Sequence, residues 1–245
     1  MSLILNAVIG GIVAVVINYL ADVLPISRKF SRPICLNCGK PFTLREYLIS
    51  FRCSKCKSRT SFRVIAVTFL SILSCILLEF FPLNGLSFWA TLPILIFLGV
   101  ILVIDIEYRV VLIQTSIFGL VLFLIYGILM HNLFSTLAGG IAGFVIMLAL
   151  YYFGILFTKV MGKIRNQEIE EVALGFGDVY VSAFLGLFTG WPAIIGVILL
   201  AILASGAFSF VYILVMLISR RYRSFSAIPY TPFLIIAAIT IFYIY

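Results

Sequence analysis

The run Phe88-Trp-Ala-Thr-Leu-Pro-Ile-Leu-Ile-Phe-Leu-Gly-Val-Ile-Leu-Val-Ile104 carries no charge and is followed at once by Asp105. A run of this length and composition suits a helix crossing a hydrocarbon core of ~30 Å, which takes about 20 residues. A carboxylate at its edge costs ~2.5–3.5 kcal/mol on insertion scales, so the default expectation is that it has a task. A second acid has the same placement. Leu174-Gly175-Phe176-Gly177-Asp178 leads into the apolar run Val179–Thr189, and its glycines permit close backbone approach and unusual φ/ψ. Two carboxylates brought together can share one proton, the arrangement of an aspartic protease. Taken singly, Asp105 beside Arg109 could be a solvated interfacial charge, and Asp178 could be a helix N-cap.

Working outward, the chain has 245 residues, of which 64% are hydrophobic and 11% charged, and its mean hydropathy is +1.25. That composition excludes a soluble globular domain and predicts an all-α polytopic membrane protein. Apolar runs fall near Leu3–Leu24, Val64–Pro82, Phe88–Ile104, Val110–Met130, Leu133–Val160, Val179–Thr189, Pro192–Ile218 and Ala227–Tyr245, which gives about eight transmembrane helices. The sixth is short and Gly-rich. Residues 1–24 read as the first transmembrane helix, 25–62 as a cytoplasmic zinc-binding loop, and 63–245 as the membrane-embedded core. No Lys or Arg precedes Arg28, so the first run does not read as a cleaved signal peptide.

The formal net charge of +8 could suggest a nucleic-acid partner, but the placement of the 17 Lys and Arg argues otherwise. All fall between 28 and 63, at Arg109, between 159 and 165, or between 220 and 223. With eight spans these groups lie on one side, which the positive-inside rule makes the cytoplasm. Asp105 then closes the third span and Asp178 opens the sixth at similar depth on that face. The macrodipole at a helix start makes Asp178 the better candidate for the ionised partner. Gly139, Gly140 and Gly143 form a small-residue face suited to close helix packing, with dimerisation as the lesser use.

The polar loop holds the second constellation. Cys35-Leu-Asn-Cys38 and Cys53-Ser-Lys-Cys56 are two Cys-x-x-Cys knuckles, with Gly39 and Lys57 directly after them. This is the pattern of a tetrahedral four-thiolate Zn²⁺ site, and with no position left for water it reads as structural. A bare thiol cluster or an iron centre is the alternative. Nearby Lys and Arg favour thiolates, and a cytoplasmic setting disfavours disulfides. A loop this small buries little, so zinc would supply its folding energy. Cys75 lies in the second apolar run and reads as a small buried hydrophobe.

The ordered set of a tetracysteine loop after the first span, Ile104-Asp105, Gly175-Phe-Gly-Asp178-Val and Pro229-Tyr-Thr-Pro232-Phe-Leu resembles the type IV prepilin peptidase family over nearly the whole chain. The resemblance implies an eight-span aspartic endopeptidase of the Gly-x-Gly-Asp class in the bacterial plasma membrane. It implies removal of the short basic leader of prepilins or pseudopilins on the cytoplasmic side, with cleavage after a glycine. The substrate helix would lie in the bilayer beside these spans. Many members then methylate the new N-terminus with S-adenosylmethionine. Carried over, Asp105 and Asp178 are the catalytic pair, with Gly175 and Gly177 as supporting motif residues. Cys35, Cys38, Cys53 and Cys56 become the zinc ligands.

The chain departs from the family's pattern at several places. Ile106-Glu-Tyr-Arg-Val-Val-Leu112 replaces the usual Ile-Pro-Asp/Asn turn, Tyr180 stands where a lysine is common, and Thr231 stands where a glycine is usual. Ser61-Phe-Arg63-Val-Ile-Ala-Val-Thr68 lacks the customary Tyr-Pro and Glu, which leaves methylation open. Glu168, Glu170 and Glu171 form an acidic cluster that could attract a basic leader or be a solvated loop. A rival from another class is a non-enzymatic scaffold or transporter whose zinc knuckle docks a partner, since carboxylates also serve ion pathways. Placement at span ends rather than the bilayer midplane favours the peptidase. A presenilin-type protease shares Gly-x-Gly-Asp but lacks the tetracysteine loop.

Overall fold

The computed structural model describes residues 3–35, 37–43, 46–47, 53–56, 62–83, 85–165, 175–219 and 229–244. These contain eight helices: α1 (Leu3–Ser27), α2 (Phe62–Phe80), α3 (Phe88–Tyr108), α4 (Ile113–Met130), α5 (Leu133–Arg165), α6 (Phe176–Thr189), α7 (Ala193–Ile218) and α8 (Thr231–Ile244). No strand occurs among the described residues, which bears out the all-α expectation. Six helices, α1 to α5 and α7, are long and apolar enough to cross a membrane. The sixth and eighth runs form helices of 14 residues each, about 21 Å at 1.5 Å per residue. Helix α6 stops early because Gly190 takes φ 72° and the Trp191-Pro192 step follows. Helix α3 runs four residues beyond the apolar stretch, since hydrogen bonding continues where hydropathy stops. The acidic cluster Glu168, Glu170 and Glu171 and the basic group 220–223 lie outside the described residues.

The chain divides into two compact units, Met1–Ile104 and Asp105–Tyr245. In the first, α1 packs on α2. Gly10 makes this possible, because a Cβ there would meet the backbone of Ile72. Two acids anchor polar groups within this unit. Glu79 Oε2 accepts from Asn6 Nδ2 at 3.0 Å. Asp22 accepts from the Tyr47 hydroxyl at 2.6 Å and pairs with Arg63, so one carboxylate joins α1, α2 and the cysteine loop.

In the second unit α6 is the central element. It packs against α4, α5, α7 and α8, and Val181 to Thr189 are buried on every side. A helix that is apolar all round belongs in such a position. Against α5 the two backbones nearly touch. A Cβ on Gly139 would run into the Gly186 carbonyl, one on Gly143 into the Ser182 carbonyl, and one on Gly140 into Leu187. The Ser182 hydroxyl donates to the Gly143 carbonyl at 3.0 Å. The glycine face read from the sequence therefore serves internal packing. On the opposite side Phe123 of α4 stacks on Phe184 and tilts against Phe188, and Phe188 stacks on Phe242 of α8 with centroids 4.6 Å apart.

Two glycines of α5 separate packing from composition. Gly143→Ala drives a methyl into a backbone carbonyl that cannot yield, and overpacking of this kind costs typically 1–3 kcal/mol. Gly154 has nothing within 4 Å of an added Cβ. Thermal unfolding in detergent should show Gly143→Ala clearly destabilised and Gly154→Ala unchanged. Equal behaviour of the two would show that α5 does not lie on α6 in this register.

Candidate active site

Asp178 is the third residue of α6, whose N-cap is Gly175 in extended conformation. The start of the helix is held by two reciprocal bonds. The Asp178 N–H donates to the Gly175 carbonyl at 3.1 Å, and the Gly175 N–H donates to Asp178 Oδ2 at 3.2 Å. The second motif glycine has a steric reason. An added Cβ on Gly177 would lie 2.7 Å from Cβ and Cγ2 of Val111, the residue that bridges α3 and α4. Leu174, the first residue of the motif, lies outside the described residues.

Asp105 lies near the C-terminal end of α3. The Arg109 N–H donates to its backbone carbonyl at 2.9 Å, and Arg109 itself takes φ 54°. Both acids are buried, Asp105 at 6% exposure and Asp178 at 7%. They are near enough for the charge of one to act on the other. Thr231, the first residue of α8, is fully buried, and its hydroxyl donates to Asp178 Oδ1 at 2.8 Å. Its side chain also acts on Asp105. Asp105 Oδ2 is buried without a hydrogen-bond partner among the described residues, as is the Tyr230 hydroxyl.

Helices α3, α6 and α8 thus bring together the two acids that the sequence singled out, and they add a third group that sequence reasoning passed over. Thr231 stood out there only as a replacement for a glycine. The available signal was a hydroxyl at the first turn of an apolar helix, beside Pro232, which suits a first turn because its missing N–H is not needed there. Tyr180, the other conspicuous replacement, makes an edge contact with Phe176, which in turn meets Tyr151 of α5. It caps the motif with an aromatic surface. The arrangement offers one carboxylate with both oxygens engaged as acceptors and one with an oxygen free to hold a proton.

The four loop cysteines form a separate cluster in the first unit. Their sulfurs all lie within 4.8 Å of one another. Cys35 Sγ is 3.6 Å from Cys56 Sγ, and Cys38 Sγ is 3.5 Å from Cys53 Sγ. Sulfurs around a tetrahedral Zn²⁺ at ~2.3 Å stand roughly 3.8 Å apart, so the residues fit such an ion. The first knuckle turns at Gly39, which takes φ 69° and donates its N–H to the Cys35 carbonyl at 2.8 Å. The N–H groups of Cys56 and Lys55 push the Cys53 thiol down to about 6, toward the thiolate that binds metal. Cys75 is fully buried in α2.

Residues 92–210 match the type IV leader peptidase family. A protein of Aeromonas salmonicida named prepilin leader peptidase/N-methyltransferase is 27% identical over 221 residues, covering 84% of this chain and 69% of that one. One of Aeromonas hydrophila with the same name is 28% identical over 231 residues, covering 88% and 72%. No solved structure matches the chain significantly.

The contact of Gly177 with Val111 yields a paired test. Gly177→Ala should destabilise the protein by the roughly 1–3 kcal/mol of an overpacked site, and adding Val111→Gly, which removes both clashing side-chain atoms, should cost less than the sum of the two single changes. Additive losses in the double variant would show that the two residues do not meet.

Proposed function

We propose that this chain, whose residues 92–210 match the type IV leader peptidase family, is an intramembrane aspartic endopeptidase acting on prepilins or pseudopilins, with Asp105 and Asp178 as its catalytic pair. The observation that carries this reading is the convergence of two buried carboxylates, from the ends of separate helices, in the neighbourhood of one hydroxyl. Ion carriers hold their acids toward the middle of their spans, whereas these two sit within the last and first turns of α3 and α6.

The chemistry follows from two carboxylates that share a proton. The ionised one takes a proton from water, and the resulting hydroxide adds to the scissile carbonyl carbon. The protonated one polarises the carbonyl oxygen as charge develops on it. Collapse of the tetrahedral intermediate breaks the C–N bond, and the leaving amine takes the proton. The pair titrates jointly, as interacting carboxylates do.

The basic residues support a cytoplasmic location for this end of the helices. Arg28 follows α1, Arg63 begins α2, Arg109 follows α3, and Lys163 lies in the last turn of α5. All are on the side at which α3 ends and α6 begins if the helices alternate in direction, and the positive-inside rule makes that side the cytoplasm. A leader rich in Lys and Arg stays in the same compartment, while the apolar helix after it lies beside these spans. Four thiolates from Cys35, Cys38, Cys53 and Cys56 would hold a structural Zn²⁺, whose contribution is to fold the loop. The relatives' names include N-methyltransferase, and methylation of the new N-terminus with S-adenosylmethionine is a companion activity that the same assay reads.

The test is co-expression with a prepilin carrying a basic leader and a glycine at the junction, followed by gel shift and the mass of the mature N-terminus. Wild type should cut it, and Asp105→Asn and Asp178→Asn should each abolish cutting while the protein remains folded. Cutting by either variant would remove that acid from the mechanism, and an added methyl mass would establish the second activity. For the loop, purified protein should hold one zinc per chain by elemental analysis. Cys53→Ser should lose it and expose residues 25–62 to protease; a metal-free wild type with a protected loop would refute the zinc reading.

A further inference from the structure

We propose that Thr231 is a positioning residue for the aspartate pair: by donating to Asp178, its hydroxyl keeps that carboxylate as the proton acceptor and leaves the shared proton on Asp105. The proposal rests on the reading of the two acids as a catalytic pair and assigns their division of labour.

A threonine in an apolar helix ordinarily returns its proton to its own backbone. Thr68, Thr136, Thr158, Thr189 and Thr240 all donate to the carbonyl four residues back. Thr231 opens α8, where no preceding helical turn offers such a carbonyl, and its proton crosses to α6 instead. With 0% exposure it has no solvent to exchange that bond for. A hydroxyl has one proton to give, and its 2.8 Å bond is to Asp178 Oδ1, while the same side chain also faces Asp105.

The two acids are consequently unlike. Asp178 accepts at both oxygens, from the Thr231 hydroxyl at 2.8 Å and from the Gly175 N–H at 3.2 Å. Two donors favour the ionised form of a carboxyl group. Asp105 Oδ2 is buried with no donor among the described residues, which suits an oxygen that carries a proton and gives it up, even though Arg109 and Thr231 also act on this acid. In the first step the water proton passes to Asp178 and the Asp105 proton to the carbonyl oxygen as the C–O bond forms. In the second, Asp178 gives its proton to the amine as the C–N bond breaks, and Asp105 recovers one from the intermediate. A residue without a hydroxyl at 231 would offer no such donor, so the asymmetry depends on this side chain.

Steady-state cleavage of a prepilin peptide by the purified full-length protein in detergent tests this. Thr231→Val keeps the shape and removes the donor, so kcat should fall about 10- to 100-fold, the worth of one hydrogen bond to a charged group. KM should stay within about threefold. Thr231→Ser should hold kcat near wild type, and Thr231→Ala, which differs from Ser only by the hydroxyl, should match Thr231→Val. The Ser and Ala pair decides the matter even where the Val variant does not fold. Equal rates for Ser and Ala, or a wild-type kcat for Val, would overturn the proposal. Asp105→Asn and Asp178→Asn run alongside: if they are inactive while Ser equals Ala, the catalytic pair stands and the role of Thr231 falls. If they cleave normally, the underlying reading fails on its own.

Discussion

The close approach of α5 and α6, backbone against backbone, sets where the other elements of the second unit can go. Glycines at 139, 143 and 186 leave each helix bare where the other crosses it, and dispersion over such a contact is what holds apolar helices together in lipid. With one side of α6 closed in this way, its remaining faces are open to α4, α7 and α8. Phe123, Phe184, Phe188 and Phe242 fill the space between α4, α6 and α8 with stacked and tilted rings. That packing fixes the axis of α8 beside α6, and the start of α8 then meets the start of α6. The Thr231 hydroxyl reaches Asp178 as a consequence of helix packing some way along the same helices.

The first unit solves a different problem with the same economy. A carboxylate in an apolar helix is costly unless it is paired and hydrogen-bonded. Asp22 meets both conditions through Arg63 and Tyr47, which come from α2 and from the loop between the knuckles. The cysteine loop is therefore tied to the helices by a polar link. Tyr19 adds a second tie by donating to the Ser31 carbonyl at 2.9 Å.

Much of this was legible in the sequence because it is written in local terms. Apolar run length gives helices, the spacing of Cys35, Cys38, Cys53 and Cys56 gives the sulfur cluster, and Gly-x-Gly-Asp gives a tight helix start. The positions of Asp105 and Asp178 at run ends could be read the same way. What sequence could not supply are contacts between remote residues whose types are unremarkable. Thr231 is one of many threonines, and only the position of α8 distinguishes its partner. Asp22 and Arg63 lie 41 residues apart, and only the packing of α1 on α2 makes them partners. The motif glycines read as permitting close approach or unusual φ/ψ; that the neighbour approaching Gly177 is the side chain of Val111 only the fold supplies.

The turn after α3 shows why such contacts matter for the acids. Arg109 has φ 54°, a conformation costing a residue with a Cβ roughly 1–2 kcal/mol. Strain of this kind persists where the surroundings over-determine it. Here the Arg109 N–H closes the last turn of α3 onto the Asp105 carbonyl, which fixes the helix end that carries the first acid. Two residues later the same turn lays Val111 over Gly177, which fixes the helix start that carries the second. A single short bend therefore sets the positions of both carboxylates from opposite sides. The Glu107-Tyr108-Arg109-Val110 segment thus serves the pair as long as Arg109 closes α3 and Val111 meets Gly177.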